Sequence, residues 1–325
     1  MIVSIRLKAN LVISRVPNKI FIIGVGRSGT SLLQSMLNAH SSIVAMPETQ
    51  FFRKYLANNK SRKAIENKGA ESFLQILEKD EAFKRLDISI SEIDSLQGSS
   101  LDLLNVYEEF MHIYATRKAK NIIVDKDPRN LDFVKTIIQL VPNAGIIQIV
   151  RDPRDVVLSK TKAKWSSNRP YWLHALIGSA QLKNSAKSIE ELDKTQYIQI
   201  YYEELLAKPE EVLTKLTSFI GVSFESSMLD FGASANELVS KKEMQWKKET
   251  LGPLLISNTE KWKNAFSPKQ IAIIEKFSKW SMKKYNYDQS SVMTELSNFS
   301  RFTIFIVSQI SYTFNLIYWF WLKKR

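Results

Sequence analysis

Residues 19–39 read KIFIIGVGRSGTSLLQSMLNA, and their pattern predicts the central element of the fold. Residues 19–23 form a short apolar run that is typical of a buried strand, and in residues 30–39 apolar side chains recur at helical spacing. Between them, glycines allow a tight turn in which backbone N–H groups and the start of a helix can face an anion. The order strand, glycine-rich loop, helix therefore predicts a binding site for a phosphate-like group at residues 24–31.

Short apolar strands alternate with helical stretches along much of the remaining chain. The predicted strands are residues 42–46, 121–125, 144–150 and 197–201, and the predicted helices lie near 130–140, 171–193, 209–220 and 268–284. This alternation is typical of a parallel sheet covered by helices on both faces. The expected fold is therefore α/β, with three layers and a central parallel sheet.

Two segments stand apart from this pattern. Residues 53–120 are polar, charged and helix-biased without a clear strand, which predicts a helical insertion. Residues 291–325 form a hydrophobic tail, in which residues 302–322 carry no formal charge and are long enough to span a bilayer. Polar residues in the middle of that run fit a helix lying in the membrane interface equally well, and a C-terminal helix that closes the core or a dimer interface is a third interpretation.

The composition limits the possible functions. The chain has 325 residues, with 46 Lys and Arg against 33 Asp and Glu, and this net charge of +13 favours nucleic acid, a phosphorylated cofactor, an acidic glycan or a membrane surface as partner. The absence of Cys excludes disulfides and thiolate chemistry and suits a reducing compartment. The N-terminus lacks the apolar run of a signal peptide, so we expect a cytoplasmic protein. The three His are not spaced as metal ligands, so we expect no metal site.

Two interpretations of the loop at residues 24–31 involve a nucleotide. Its glycines satisfy the GxGxxG pattern of dinucleotide-binding folds, and Glu48 stands about 20 residues further on, where such folds carry an acid. Gly24 and Gly29 also have the spacing of the loop in nucleotide-dependent kinases and hydrolases. In that second interpretation, however, Thr30 occupies the position of the phosphate-binding Lys.

A third interpretation explains the largest number of residues. Preceded by a strand, the run RSGTS at residues 27–31 resembles the 5′-phosphosulfate loop of the sulfotransferases, which use 3′-phosphoadenosine 5′-phosphosulfate and have a P-loop-type fold. Five further stretches agree with this family in order and spacing. The resemblance implies that the loop binds the donor through Gly26, Arg27, Ser28, Gly29, Thr30 and Ser31.

The run VRDPRDVVLS, residues 150–159, resembles the family's 3′-phosphate segment. By this resemblance Arg151 and Ser159 hold the 3′-phosphate, and a guanidinium at a strand end can converge on one anion with a hydroxyl one or two helical turns later. A helix N-cap with solvated charges would also explain Asp152 and Asp155, but it leaves Arg151 unexplained.

Two later stretches resemble parts of the family's donor site. In YYEEL, residues 201–205, Tyr202 corresponds to a tyrosine that packs beside the cofactor, although core packing would explain it as well. Ser257 and Lys261 lie in a stretch that resembles the late segment closing over the cofactor. The resemblance therefore implies that these three residues contact the donor.

Two residues are implied to be catalytic. In DKDP, residues 125–128, Lys126 resembles the lysine beside the transferring sulfonyl group. Pro128 occupies the position of the small-molecule branch's histidine base, which excludes a histidine base from this loop. Glu48 stands where the tyrosylprotein and many bacterial carbohydrate-type relatives place a glutamate, which implies that it is the general base. An acid after a proline at a helix start is the alternative interpretation of Glu48.

Together these motifs predict a catalytic domain over residues 1–290, with residues 53–120 on the acceptor side. The implied activity is metal-independent sulfonyl transfer to a hydroxyl of a carbohydrate-type acceptor, while a glycan, a glycolipid or a tyrosyl peptide all remain open as acceptors. Ala163 departs from the tyrosylprotein branch, which has an arginine there. The alternatives are a nucleotide-dependent kinase or hydrolase and a basic nucleic-acid-binding protein. We expect no nucleic-acid partner, because no known nucleic-acid-binding module is present.

Overall fold

Five parallel strands form the central sheet of the protein. The computed structural model describes residues 18–56, 59–93, 102–238, 254–255, 257–290, 302 and 305–306. The strands are β1 (Lys19–Ile23), β2 (Ile43–Ala45), β3 (Ile122–Lys126), β4 (Ala144–Val150) and β5 (Tyr197–Tyr201), in the spatial order β2-β3-β1-β4-β5. The predicted α/β fold with a central parallel sheet is confirmed.

Helices cover both faces of this sheet. In chain order they are α1 (Thr30–Asn38), α2 (Asn59–Lys79), α3 (Glu81–Lys84), α4 (Leu103–Arg117), α5 (Val134–Leu140), α6 (Pro153–Lys162), α7 (Tyr171–Glu190), α8 (Tyr202–Ala207), α9 (Pro209–Ile220), α10 (Gly232–Leu238) and α11 (Pro268–Lys284). Because successive side chains of a strand point to opposite faces, Ile20 and Ile22 of β1 pack in the core with α1, α8, α9 and α10. Phe21 and Ile23 pack in the other core, which includes residues of α4, α5 and α7.

The register brings the ends of the strands to one edge. Ile22 of β1 pairs with Lys126 of β3, and Val150 of β4 pairs with Tyr201 of β5. The loop after β1, the residues after β3 and the residues after β4 and β5 therefore leave the sheet side by side. Ligands of parallel α/β proteins bind at this carboxyl edge.

The described part of residues 53–120 is helical and packs through aromatic rings. The ring of Phe51 stacks on Tyr107 of α4 at 5.4 Å between centroids and meets Phe110 edge-on at 5.2 Å. Tyr107 also donates a hydrogen bond of 3.1 Å to the carboxylate of Asp125 in β3. The insertion is thus anchored on the sheet directly beside the carboxyl end of β3.

The predicted helix at residues 302–322 lies outside the described residues, except for Phe302, Phe305 and Ile306. These three residues are helical and exposed. Within the described ranges, none of the helices is both long enough and apolar enough to cross a bilayer.

Candidate active site

The loop between β1 and α1 turns through two residues in the left-handed region. Arg27 has a φ of +79° and Gly29 a φ of +95°, a region that non-glycine residues avoid and that is concentrated at functional sites. The Ser28 N–H donates to the Val25 carbonyl at 3.0 Å, and the side chains of Ser28 and Thr30 are buried. The sequence thus folds locally into the phosphate-type loop that its glycines predict.

Two predicted phosphate-binding segments meet at this loop. The Arg27 side chain donates through Nε to the Ser159 hydroxyl on α6 at 2.9 Å. Arg151, directly after β4, donates through Nη1 to the Arg27 carbonyl at 3.1 Å. The structure therefore brings Arg27, Arg151 and Ser159 together, although the sequence separates Arg27 from the other two by more than 120 residues.

Arg151 is enclosed between Tyr202 and a segment near residue 258. Its guanidinium carbon lies 4.2 Å from the centroid of the Tyr202 ring, and its Nη2 donates to the Asn258 carbonyl at 2.7 Å. Asn258 in turn donates through Nδ2 to the Tyr202 hydroxyl at 2.8 Å. The Nε of Arg151 is buried without a hydrogen-bond partner. A buried, unpaired guanidinium donor beside the loop fits an anionic oxygen of a ligand.

The ring of Tyr202 also packs on the loop itself. A Cβ atom added to Gly29 would lie 2.3 Å from Cδ2 of Tyr202, so the loop and the ring fit only because residue 29 is a glycine. At Gly26, by contrast, an added Cβ would meet no heavy atom within 4 Å. Gly26 thus borders open space at the same loop.

Asp155 fixes the segment that carries Asn258. Its carboxylate accepts hydrogen bonds from the backbone N–H groups of Glu260 at 2.7 Å and Trp262 at 3.0 Å. Burial raises the pKa of Asp155, while the nearby Arg151 guanidinium lowers it. The interpretation of Asp155 as a solvated charge is wrong, since its side chain is buried.

The RDPRD motif contains a second buried ionic group. Asp152 caps α6 by accepting from the Arg154 N–H at 2.8 Å, so its predicted capping role is confirmed, but it too is buried. Arg154 pairs with both Asp152 and Glu275, each at 2.7 Å, and stacks on Trp262. These contacts join α6, α11 and the segment before α11.

Sequence reasoning missed Asn258 and the positioning role of Asp155. Asp155 is the second acid of the RDPRD motif, so the sequence did single it out. No local motif or pattern indicates that Asn258 belongs to the site. The predicted donor residues Ser257 and Lys261 lie in the same segment, but their side chains are exposed. From this segment, the Asn258 side chain reaches the Tyr202 hydroxyl.

Lys126 and Glu48 form an ion pair at the ends of β3 and β2. The Lys126 ammonium donates a short hydrogen bond to a Glu48 carboxylate oxygen. Lys126 is 1% exposed, whereas the Glu48 side chain is 18% exposed and can be reached from solvent. Gln34 of α1 donates to the Met46 carbonyl at 2.7 Å and so holds the segment that carries Glu48.

The surroundings of this pair are rich in carboxylates. Burial, together with the charge of Asp127, raises the pKa of Asp125 to about 6. Burial and the charge of Glu48 likewise raise the pKa of Asp127, and Arg53 of the insertion opposes this from 3.1 Å. Chemically, the edge offers a reachable carboxylate that can accept a proton beside a buried ammonium that can stabilise negative charge. In the part of the chain that the structure describes, no three His, Asp or Glu side chains group as metal ligands would.

Comparison with known proteins identifies a family to which most of these site residues' part of the chain is similar. A family model described as "Sulfotransferase family" matches residues 17–226, a range that contains all the site residues above except those near residue 258. A protein-tyrosine sulfotransferase of Drosophila melanogaster is 26% identical over 256 residues, which cover 75% of this chain and 46% of that protein. An uncharacterized protein of Aquifex aeolicus is 27% identical over 260 residues, covering 75% of this chain and 30% of its own length. The chain thus spans less than half the length of these two relatives.

Solved structures share the fold. The sulfotransferase domain from the curacin biosynthetic pathway superposes with a TM-score of 0.60 and 22% identity, covering 85% of this chain and 100% of that domain. The sulfotransferase domain of the Synechococcus PCC 7002 olefin synthase gives a TM-score of 0.54 and 21% identity, with 81% and 95% coverage. At these identities the comparison establishes a common fold.

Proposed function

The chain belongs to the sulfotransferase family, and from this premise we propose that it transfers a sulfonyl group from 3′-phosphoadenosine 5′-phosphosulfate to a hydroxyl group of a carbohydrate-type acceptor. One observation carries the proposal. Arg27, Ser159 and Arg151 converge beside the glycine-rich loop, and a buried nitrogen of Arg151 has no hydrogen-bond partner there. Such a set of donors suits a ligand with two separate phosphate groups.

The residues present fit this donor. Gly26, Arg27, Ser28, Gly29, Thr30 and Ser31 would hold its 5′-phosphosulfate, because the loop borders open space at Gly26 and the N-terminus of α1 follows it. Arg151 and Ser159 would hold the 3′-phosphate, and Tyr202 would pack beside the nucleotide. Ser257 and Lys261 would close over it from the segment that Asp155 fixes. When bound, the donor supplies the activated sulfonyl group and no metal is required.

Glu48 and Lys126 would perform the proton and charge chemistry. Glu48 is partly exposed at the edge and would accept the proton of the acceptor hydroxyl. Lys126 orients the Glu48 carboxylate through their hydrogen bond, and its ammonium, together with Arg27, would stabilise negative charge that develops at the edge. Because both cations are already held in place, little reorganisation is needed during the reaction.

A tyrosyl peptide is the second candidate acceptor. It is favoured by the names of curated relatives, which include protein-tyrosine sulfotransferases of Drosophila melanogaster and Gallus gallus. Ala163 is the departure from that branch noted in the sequence, and it favours the carbohydrate-type acceptor. In both cases we propose that the insertion at residues 53–120 shapes the acceptor site, since Arg53 and Tyr107 contact the acids on either side of Lys126.

The donor class is tested by thermal stabilisation with adenosine 3′,5′-bisphosphate, with 5′-AMP, ATP plus magnesium, and NADH in parallel. We expect stabilisation that requires the 3′-phosphate and is lost in Arg151→Ala. Arg117→Ala is the matched control, because Arg117, at the end of α4 in the insertion, forms a surface ion pair with Glu92. A response to ATP plus magnesium or to NADH in place of the bisphosphate would refute the proposal. Transfer of labelled sulfonyl groups to glycans, glycolipids and tyrosyl peptides then identifies the acceptor.

We also propose that the protein is cytoplasmic and contacts a membrane through residues 302–322. The support is the uncharged run of 21 residues between Arg301 and the terminal Lys-Lys-Arg. Substituting Asp for two apolar residues of this run, Ile317 and Phe320, should release the full chain from vesicles in a flotation assay. Wild-type flotation of that variant would contradict the proposed contact.

A further inference from the structure

A groove of about 380 Å³ lies between α7 and α11 and shares no residue with the proposed donor site. Its apolar lining includes Leu176 of α7 and Phe277 and Trp280 of α11. Leu176 and Phe277 belong to a small hydrophobic cluster that joins the two helices. The groove therefore has an apolar floor supported by the packing of two long helices.

The rim of the groove is basic. Lys276, Lys279 and Lys283 line it from α11, where their spacing of three and four residues places them on one face of the helix, and Lys183 lines it from α7. Among the described residues, no ion pair involves Lys279 or Lys283. Long lysine side chains of this kind can cover apolar surface with their methylene groups while their ammonium groups reach outward.

Described residues of the uncharged run lie next to this groove. The ammonium of Lys276 lies 5.4 Å from the centroid of the Phe305 ring. Phe305 is exposed, as are Phe302 and Ile306 beside it. Phe305 thus lies at the lysine rim, and the groove together with Phe302, Phe305 and Ile306 presents basic and apolar groups on the same side of α11 as Lys276.

We propose that this surface docks on the anionic face of a lipid bilayer, with the rim lysines against lipid phosphates and carboxylates. This step rests on the proposed membrane contact of residues 302–322 but does not rest on the proposed sulfonyl transfer. An anionic bilayer suits both the basic and the apolar groups, because its headgroups neutralise the lysines and its interface accepts the exposed side chains of Phe302, Phe305 and Ile306. A tail folded into the groove would leave Lys279 and Lys283 without counter-charge, since residues 302–322 are uncharged and are followed by Lys-Lys-Arg. An acidic protein would neutralise the rim but leave the apolar run uncovered.

The size of the effect follows from membrane electrostatics. Each lysine near an anionic surface contributes about fivefold to the partition coefficient at low salt. Removing two rim lysines should therefore lower binding by roughly 25-fold. The effect should shrink as salt increases, because screening shortens the range of the interaction.

The test is co-sedimentation of the full chain with two kinds of vesicle. One contains phosphatidylcholine and phosphatidylserine at a molar ratio of about seven to three, and the other contains phosphatidylcholine alone. The test variant is Lys279→Gln with Lys283→Gln. The matched control is Lys135→Gln with Lys215→Gln, which removes the same charge from exposed positions of α5 and α9, outside the groove. Melting temperature and adenosine 3′,5′-bisphosphate binding are measured for both variants, so that misfolding and failure of the proposed function are recognised separately.

We expect the rim variant to lose roughly 25-fold in binding to the anionic vesicles at low salt, and the control to lose no more than about twofold. Equal losses in both variants would show that net charge alone drives binding and would overturn the proposal. Equal binding to neutral and anionic vesicles, or no binding to either, would overturn it as well.

Discussion

Substituting Gly29 by Ala should destabilise the protein, because this glycine is required both by its backbone and by its neighbour. Its φ of +95° costs a residue with a Cβ atom about 1–2 kcal/mol. The added methyl would lie 2.3 Å from the Tyr202 ring. The Arg151 guanidinium packs over that ring, and the ring's hydroxyl accepts a hydrogen bond from the Asn258 amide. Relieving the overlap should therefore cost about 1–3 kcal/mol more. The expected total is roughly 2–5 kcal/mol.

Gly26→Ala is the matched control in the same loop. No heavy atom lies within 4 Å of its added Cβ, and its φ lies outside the left-handed region. We expect its melting temperature in scanning calorimetry to stay within about 1–2 °C of the wild type, and that of Gly29→Ala to fall by roughly 4–10 °C. Titration calorimetry should in turn show at least about tenfold weaker binding of adenosine 3′,5′-bisphosphate to Gly26→Ala, whose methyl fills the open space. Equal melting temperatures for the two variants would refute the contact between Gly29 and Tyr202.

Three further predictions concern carboxylates of the site. Glu48→Gln should lower turnover by about 10²–10⁴-fold in a sulfonyl-transfer assay while keeping bisphosphate affinity, and wild-type turnover would remove Glu48 as the base. Burial and the charge of Asp127 raise the pKa of Asp125 to about 6. Between pH ~4 and pH ~6 the folded state therefore retains a proton that the unfolded chain has released. The free energy of unfolding consequently falls as pH rises through this window. Asp125→Asn should therefore be more stable than the wild type by up to about 3 kcal/mol above pH ~7 and should lose that advantage below pH ~4. Urea denaturation at several pH values measures this difference, and a stability difference that does not change with pH would contradict the prediction. Asp155→Ala leaves the N–H groups of Glu260 and Trp262 without the carboxylate that accepts their hydrogen bonds. This should lower the free energy of unfolding by roughly 2–4 kcal/mol and speed proteolysis of the segment before α11. Unchanged proteolysis would show that other contacts hold the segment.

The strands were predictable because each one is a short apolar run bounded by polar or glycine residues. The predicted strand 144–150 coincides with β4, and the predicted strands 42–46 and 121–125 differ from β2 and β3 by only one residue at each end. Burial on both faces of a parallel sheet requires continuous apolar runs, and such runs are visible without knowledge of their neighbours. The loop after β1 was predictable for a similar local reason, since its glycines and the following helix are contiguous in sequence.

The contacts within the site were less predictable. Lys126 and Glu48 are 78 residues apart, and their ion pair exists because β2 and β3 are neighbours in the sheet. Arg151 and Asn258 are 107 residues apart and meet through packing of the segment that precedes α11. No local periodicity or motif encodes contacts of this range, so resemblance could nominate Glu48 and Lys126 but could not pair them.

Local sequence specifies the strands and helices and the chemistry available at their ends, because backbone propensity, glycine placement and apolar periodicity act over a few residues. It placed a phosphate-type loop after β1 and charged residues after β2, β3 and β4. The spatial order β2-β3-β1-β4-β5 depends on how the elements pack in the tertiary structure. This order in turn determines which charged side chains face each other. The tertiary structure also buried Asp155, which the sequence had suggested was a solvated charge, and recruited Asn258 to the site. The physical reason is that burial and long-range packing depend on the whole core, whereas the identity of a residue fixes only what it can do once it is placed there.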